Sequence, residues 1–297
     1  MSAPWCLGIS VRNLSAVDFY RFHTANLREI EGAMRHVARN LHRSMAQSQR
    51  RTVSAYTRLS ALLLGTWAEC RLQKLLYEPG ASGFSELDRA SIRASQSQYG
   101  RWLHTIDLAF RKQYNVSSGR LQPPQLPHTP YYRYQAVVDA LSTHLRPVIE
   151  LRNKLAHGQW LYTLTNDGLG ISVPEMRAVR RENSLTLKLK HNLLRHLVDV
   201  IHDLVVSKPT FTRDFDSHFR ALESASVDLQ KRSFSKYEKQ MRDRYIRGRN
   251  LKTKRLASPE ELQQRIRVRA YEIYLTRGMQ QDGCADKDWL KAEAEIG

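Results

Sequence analysis

The chain has 297 residues, with 47 Lys and Arg against 29 Asp and Glu, and therefore a net charge of +18. No segment approaches the ~20 consecutive apolar residues that span a bilayer, and no secretory signal is visible at the amino terminus. Three scattered cysteines (Cys6, Cys70 and Cys284) argue against a disulfide scaffold or a cysteine-based zinc site and favour the reducing cytoplasm. The positive charge predicts a polyanionic partner, most often a nucleic acid.

Most of the chain has the periodicity of helices. Apolar side chains recur at helical spacing in the stretches 27–45, 52–77, 97–114, 132–157, 184–206 and 212–230. Residues 52–77 are apolar around more of the circumference than the others, which predicts a central, buried helix. Ser85 and Asp88 predict the N-cap of a further helix. A proline-rich surface loop precedes residue 132, and Pro147 is expected either to kink the helix that follows or to begin a second one.

Gly158 is expected to end that helix, and the pattern then changes. Two short apolar stretches within residues 160–173 flank the turn sequence Asn166-Asp167-Gly168. Such turns join antiparallel strands, so the sequence predicts a small β-hairpin inserted in the helical domain.

A strongly basic stretch follows at residues 231–255, where eleven Lys or Arg and two acidic residues supply +9 of the total charge of +18. Aromatic side chains interleave with these cations and could stack on bases while the charges contact phosphates. A solvated, highly charged helix or linker explains the stretch equally well. The candidate RNA-binding residues are Lys154, Lys231, Arg232, Lys236, Lys239, Arg242, Arg244, Tyr245, Arg247 and Arg249.

Ser258-Pro259-Glu260-Glu261 predicts the start of a new helix, which is expected to end at Gly278 before a short final helix. This C-terminal stretch resembles a small bacterial domain of unknown function, and the resemblance implies a compact helical pair. Its expected core residues are Ile266, Tyr271, Tyr274, Trp289 and Leu290.

One short motif contains candidate catalytic residues. Arg152-Asn153 is followed by His157-Gly158 at the end of a predicted helix, and this resembles the Arg, four to six residues, His signature of the HEPN superfamily. The spacing alone is weak evidence, because a chain so rich in arginine contains other pairs. These are Arg213 with His218 and, at looser spacing, Arg35 with His42 and Arg195 with His202.

The resemblance covers roughly residues 25–207 and implies a metal-independent endoribonuclease without a cofactor. It implies catalytic roles for Arg152, Asn153 and His157, and Glu69 matches an acidic position that often accompanies the pair. The family is rich in toxins and antiphage effectors, so RNA, a second copy of the chain and a regulatory or antitoxin protein are the implied partners. Alternatives are a catalytically inactive nucleic-acid-binding or scaffold protein, or the helical partner of a nucleotidyltransferase.

The residues themselves suit RNA cleavage by its own 2′-hydroxyl. An unperturbed imidazole titrates near pH ~6.5 and can carry the protons, while a guanidinium fork stabilises charge on the phosphate. A histidine at a helix end can equally be structural, since it interacts favourably with the helix dipole. Side chains five residues apart on a regular helix diverge by ~140° and ~7.5 Å, so either the helix unwinds at Gly158 or two chains contribute.

The expected fold is therefore mainly α: a HEPN-like helical bundle with a small β-hairpin insertion, followed by a basic helix and a small helical module. The expected segments are an N-terminal segment 1–24, the helical domain 25–210, a basic helical linker 211–257 and the C-terminal module 258–297.

Overall fold

The computed structural model describes residues 14–79, 83–165, 167–256, 259–277 and 285–296, with the backbone alone for 250–256. The protein is mainly helical, as expected, and divides into two compact units, Met1–Tyr237 and Glu238–Gly297. Within the described ranges, no helix has both the length and the apolar character needed to cross a membrane.

The first unit is a helical bundle built around α2. Its elements are α1 Ala16–Ala46, α2 Arg50–Leu76, α3 Glu86–Arg93, α4 Gln98–Tyr114, α5 His128–Ala140, a π-helical turn Leu141–Leu145, α6 Arg146–Ala156, α7 Val173–Arg181, α8 Ser184–Val206 and α9 Lys208–Lys231. Helix α2 packs against α1, α6 and α8. Its side chains Leu64, Trp67 and Leu72 are at most 1% exposed, which confirms the predicted central helix.

Helix α1 begins earlier than expected. The helix already starts at Ala16 and runs across residue 24, where the sequence analysis ended the N-terminal segment. Ser15 and Asp18 form a capping box: the Asp18 N–H donates to Ser15 Oγ (3.3 Å), and the Ser15 N–H donates to Asp18 Oδ2 (3.0 Å). These two bonds satisfy amide groups that would otherwise lack partners at the helix start. Ser85 and Asp88 repeat the arrangement at α3, as predicted.

The region around Pro147 contains both a distortion and a new helix start. The π-helical turn Leu141–Leu145 ends α5, and α6 begins at Arg146 with Pro147 in its first turn. The backbone stays helical from Ala140 through Arg146, and the π-helical turn lies where the chain accommodates a proline, which has no N–H to donate. The hydrogen-bond register of the helix therefore shifts before the segment that contains Arg152.

The predicted β-hairpin is wrong: in the described residues it reduces to one isolated antiparallel bridge between Leu164 and Ile171. The Leu164 N–H donates to Gln159 Oε1 (2.9 Å), and Lys154 Nζ donates to the Leu164 carbonyl oxygen (2.8 Å). The bridge itself is held by the Thr165 N–H, which donates to the Gly170 carbonyl oxygen (2.9 Å), and by the Ser172 N–H, which donates to that of Thr163 (2.8 Å), and the ladder ends there. Helix α7, which the pattern did not predict, then begins at Val173.

Helix α9 belongs to the first unit, whereas the sequence placed residues 211–257 in a linker. Phe211, Phe215 and Leu222 are at most 7% exposed, and the helix packs along α8. Because these side chains recur every turn or two, they form an apolar stripe that must be covered. The units consequently divide after Tyr237.

The second unit contains most of α10 Phe234–Leu256, then α11 Pro259–Thr276 and α12 Ala285–Ile296. The expected limits at Ser258 and Gly278 lie outside the described residues. Ile266 is buried as expected, but Tyr271 and Leu290 are 60% and 63% exposed, so their assignment to the core is wrong. The small residue Ala292 fills the helix contact instead, and ion pairs join α11 to α12.

A polar network joins the end of α2 to α8. Glu78 accepts hydrogen bonds from Tyr20 (3.1 Å) and Lys74 (2.9 Å), and His202 Nε2 lies 3.6 Å from its carboxylate. Burial alone would raise the pKa of Glu78, but the contacts with His202 and Lys74 lower it to about 2. The contact with Glu78 raises the pKa of His202 despite burial, and Asp203 adds to this.

This network predicts a pH-dependent stability. The contribution of Glu78 is complete above its ordinary pKa of 4.5 and is lost as the pH falls through about 2. The contribution of His202 is complete below its ordinary pKa of 6.5 and is lost as the pH rises through its raised value. We expect the His202→Gln protein to show a flatter decline of unfolding free energy above pH 6.5 than wild type in urea titrations. An unchanged slope would contradict the assignment.

Candidate active site

Helix α6 ends in a Schellman motif that positions His157. Gly158 has φ +76, its N–H donates to the Leu155 carbonyl oxygen (3.1 Å), and the Gln159 N–H donates to that of Lys154 (3.0 Å). A left-handed residue at this position favours glycine, so the predicted stop at Gly158 is confirmed. The helix stays regular through Ala156, and His157 is presented as its exposed cap.

Arg152 is held by α2. Its Nη2 forms an ion pair with the Glu69 carboxylate, and its Nη1 donates to Asn153 Oδ1 (3.1 Å). The side chains of Arg152 and Glu69 are 25% and 32% exposed, so solvent reaches both. Beside them, burial and the Glu69 charge raise the pKa of the Cys70 thiol, while Arg152 opposes the shift. The structure thus brings three of the four candidate catalytic residues into contact.

Gly65 makes this contact possible, and the sequence analysis missed it. A Cβ atom at Gly65 would lie 2.4 Å from Arg152 Cβ and 2.7 Å from its Cγ, closer than van der Waals contact allows. The missing side chain lets α6 approach α2 one turn before Glu69. An isolated glycine inside a strongly helical stretch is the signal that could have identified it.

His157 lies apart from the ion pair. It is exposed, and its imidazole makes no hydrogen bond or ion pair to any described residue. Because the helix between Arg152 and His157 is regular, the two side chains diverge by ~140° and ~7.5 Å along the axis. A single chain therefore offers its arginine on the α2 side and its histidine to solvent.

In the other three Arg–His pairs, the histidine contacts another side chain of the protein. The contacts are His218 with Asp203 at 3.3 Å, His202 with Glu78 at 3.6 Å and His42 with Tyr237 at 3.1 Å. Burial also lowers the pKa of His42. Only the motif at the end of α6 combines an anchored arginine with an open histidine among these four.

Lys154 does not lie on an open basic surface. Its ammonium pairs with Glu175 of α7 at 2.9 Å and donates to the Leu164 carbonyl oxygen, and its side chain is 14% exposed. Its contacts anchor the segment that follows the motif rather than leaving the charge available to RNA.

That segment, residues 159–173, exposes several apolar side chains. Trp160 anchors it, because its Nε1 donates to the Leu155 carbonyl oxygen (2.9 Å) and its own carbonyl accepts from Arg58. The exposed side chains, which we call the apolar loop patch, are Leu161, Tyr162, Leu164, Leu169, Ile171 and Val173. They lie directly after the exposed histidine in the chain.

The remaining candidate RNA-binding residues lie at the end of α9 and along α10. Arg232 pairs with Asp228 (2.8 Å), Arg242 pairs with Glu238 (3.1 Å), and Arg247 donates to the Asp243 carbonyl oxygen (3.3 Å). Tyr245 is half-buried and Arg249 is exposed. Four exposed cations of this stretch make neither an ion pair nor a side-chain hydrogen bond to a described residue: Lys231, Lys236, Lys239 and Arg244.

No group of three or more His, Cys, Asp or Glu in the described ranges is arranged to hold a metal ion.

The comparisons with known proteins reach only the C-terminal module. Residues 261–297 match the model of a family described as a protein of unknown function (DUF2934). No curated protein and no solved structure matches the chain. The match agrees with the expected small C-terminal domain, and it brings no activity with it.

Proposed function

We propose that the chain is a metal-independent endoribonuclease of HEPN type that acts as a homodimer. The observation that carries the proposal is the end of α6, where Arg152 is anchored on Glu69 while His157 is exposed and without a partner in the described residues. This division suits an anion-binding group that must be fixed and a proton carrier that must be accessible.

The chemistry requires two proton transfers and one charge to be stabilised. The 2′-oxygen of RNA attacks the adjacent phosphorus while an imidazole accepts its proton, and the bond from phosphorus to the 5′-oxygen breaks as that oxygen receives a proton. The products are a 2′,3′-cyclic phosphate and a 5′-hydroxyl. In this scheme His157 carries the protons and Arg152 stabilises the phosphate. Asn153 orients the phosphate, and Glu69 is a positioning residue for Arg152.

The divergence of Arg152 and His157 within one chain favours a dimer that brings two copies of the motif to one cleft. The apolar loop patch supports this arrangement, because a cluster of exposed apolar side chains beside a candidate site is typical of an interaction surface. Burial of the patch between two copies would place both histidines at the interface.

We therefore expect Leu169→Glu to shift the protein toward monomer in sedimentation experiments. Leu169 is 90% exposed, so the change cannot disturb the core, and a buried charge opposes association. Leu87→Glu is the matched control, since Leu87 of α3 is 83% exposed and lies outside the patch. Equal oligomeric states for the two variants would contradict a dimer formed through the loop.

The test of the proposed activity is incubation with total RNA in EDTA, followed by sequencing of the cut ends. Cleavage is expected to persist in EDTA and to leave 2′,3′-cyclic phosphate or 3′-phosphate ends. Cleavage that requires added magnesium would disprove the mechanism.

A second candidate is a nucleic-acid-binding protein without turnover. It is favoured by the Glu69 carboxylate, which already neutralises Arg152, and by the exposed cations near and along α10. It predicts RNA binding that is unaffected by His157→Ala and no cleavage by wild type.

Replacement of Lys231, Lys236, Lys239 and Arg244 by alanine is expected to weaken RNA binding and to reduce its salt dependence. Each lost phosphate contact lowers the slope of log K against log salt by about one. Filter binding at several salt concentrations measures both quantities. The control removes four exposed arginines elsewhere in the first unit: Arg21, Arg28, Arg51 and Arg120. A salt-dependence slope equal to that of wild type would show that these cations do not contact the RNA.

A further inference from the structure

A cleft lies between α1, α2 and α8. This cleft, which we call the α1–α2–α8 cleft, has a volume of about 620 Å³, within the range of small-molecule sites. Helix α2 contributes Leu64, Trp67 and Arg71 to its wall. On a helical wheel this face lies more than ~100° from the Gly65 and Glu69 face, so the cleft is separate from the Arg152 site.

The floor of the cleft is apolar. Leu41, Leu64, Trp67 and Leu187 line it and are at most 5% exposed, and Met34 packs beside them. An apolar floor favours a ligand with an apolar body, because binding removes the apolar surfaces of both from water.

The rim of the cleft is cationic. Arg35 of α1 and Lys188 and Arg195 of α8 line it, are exposed, and have no acidic partner among the described residues. The two acids of the cleft are already engaged: Glu31 accepts from Trp67 Nε1 (3.3 Å) and Asp199 pairs with Arg71 (3.2 Å). Three cations from two helices make this rim attractive to an anionic group, for which arginine provides a planar fork.

The half-buried His191 adds a polar group between Lys188 and Arg195 along α8. Its Nε2 is buried without a hydrogen-bond partner in the described residues, and its ring packs edge-on against Trp67 with centroids 4.8 Å apart. Burial lowers the pKa of His191, and Arg195 adds to this, so the imidazole is neutral near pH 7. A buried nitrogen without a partner is uncommon in proteins, and a ligand that hydrogen-bonds to it would satisfy it.

We propose that the α1–α2–α8 cleft binds a small amphipathic anion, with an apolar body on the Trp67 floor and one phosphate or carboxylate group held by Arg35, Lys188 and Arg195. The three cations fix the charged end, and His191 supplies a neutral hydrogen-bonding group at the boundary between rim and floor.

Calorimetry on the full chain tests this with four probes: octyl phosphate, octanoate, octanol and inorganic phosphate, all below micellar concentrations. Octyl phosphate or octanoate is expected to bind with one site per chain, and the stronger of the two identifies the preferred headgroup. Octanol and inorganic phosphate are each expected to bind at least ~10-fold more weakly, because octanol lacks the anionic group and inorganic phosphate lacks the apolar body. Equal binding of octanol, or of inorganic phosphate, or no binding of either amphipathic anion, would overturn the proposal.

Charge reversal then locates the site. Arg35→Glu and Arg195→Glu are each expected to weaken binding at least ~10-fold, since a charge-assisted hydrogen bond becomes a repulsion. Arg28→Glu is the matched control, because Arg28 is an exposed arginine two turns before Arg35 on α1 and does not line the cleft. These side chains are on the surface, so circular dichroism should show an unchanged fold. A control variant that weakens binding as much as Arg35→Glu would overturn the assignment to this cleft.

Discussion

Replacement of His157 by alanine is expected to lower the rate of RNA cleavage by about 10²–10⁴-fold, the usual contribution of a positioned acid–base group. The fold should be unaffected, because the imidazole is exposed and makes no hydrogen bond or ion pair to the described residues. RNA binding should also persist, since the histidine moves protons and does not supply the positive charge. Single-turnover cleavage, measured beside binding, separates the two effects.

His128→Ala is the matched control for this measurement. His128 is exposed at the first position of α5, and it has no side-chain partner among the described residues. Its loss removes an imidazole of the same kind from a different surface, so cleavage should stay at the wild-type rate. If His157→Ala cleaves as fast as this control, His157 is not the proton carrier and the binding function becomes the better account.

Arg152→Lys complements the histidine variant. Lysine retains the charge that pairs with Glu69 but lacks the planar fork that can hold two phosphate oxygens. A stable protein with reduced cleavage is therefore expected, with the loss in kcat larger than in KM because the arginine acts on charge that develops in the transition state.

Gly65→Ala is expected to destabilise the protein by about 1–3 kcal/mol, the usual cost of excess volume in a packed contact. The new Cβ would lie 2.4 Å from Arg152 Cβ and 3.3 Å from the Val148 carbonyl oxygen, so α2 and α6 must separate. Separation would also draw Arg152 away from Glu69, so cleavage should fall together with stability. Denaturant titrations give the change in unfolding free energy.

Gly32→Ala, the same substitution at another position of a helix, is expected to have the opposite effect on stability. Gly32 lies within α1, and a Cβ there meets only Arg35 Nη2, at 3.8 Å, which is an ordinary contact. Alanine is favoured over glycine in a helix interior by about 0.8–1 kcal/mol, so this variant should be as stable as wild type or more so. A Gly65→Ala protein as stable as Gly32→Ala would show that the close approach of α2 and α6 is not required.

The sequence was sufficient to predict those features of the fold that depend only on neighbouring residues. Helical periodicity located the central helix, the capping pair at Ser85 and Asp88 located the start of α3, and Gly158 located the end of α6. Each depends on neighbouring residues in the chain, so each can be deduced without tertiary contacts. The cap at Ser15 follows the same rule, but it lies twelve residues before Leu27, where the apolar stripe that predicts this helix begins.

The local pattern misled where the neighbouring elements decide the outcome. Residues 160–173 have the alternation and turn of a hairpin, but pairing stops after the bridge between Leu164 and Ile171 because α7 begins at Val173. Tyr271 and Leu290 have the character of core residues, yet the contact of α11 with α12 is filled by small Ala292. Neither outcome follows from the periodicity of the segment concerned.

The sequence by itself determined that the chain is helical and basic, and it singled out Arg152 and His157 from their setting at a helix end. Only the tertiary structure decided that Arg152 is anchored on Glu69, that Gly65 permits the anchoring, and that His157 faces solvent. The α1–α2–α8 cleft likewise exists only after folding, because its cations come from helices more than a hundred residues apart in the chain. Spacing along a helix follows from local geometry, whereas the pairing of charges across helices depends on how closely their backbones can pack.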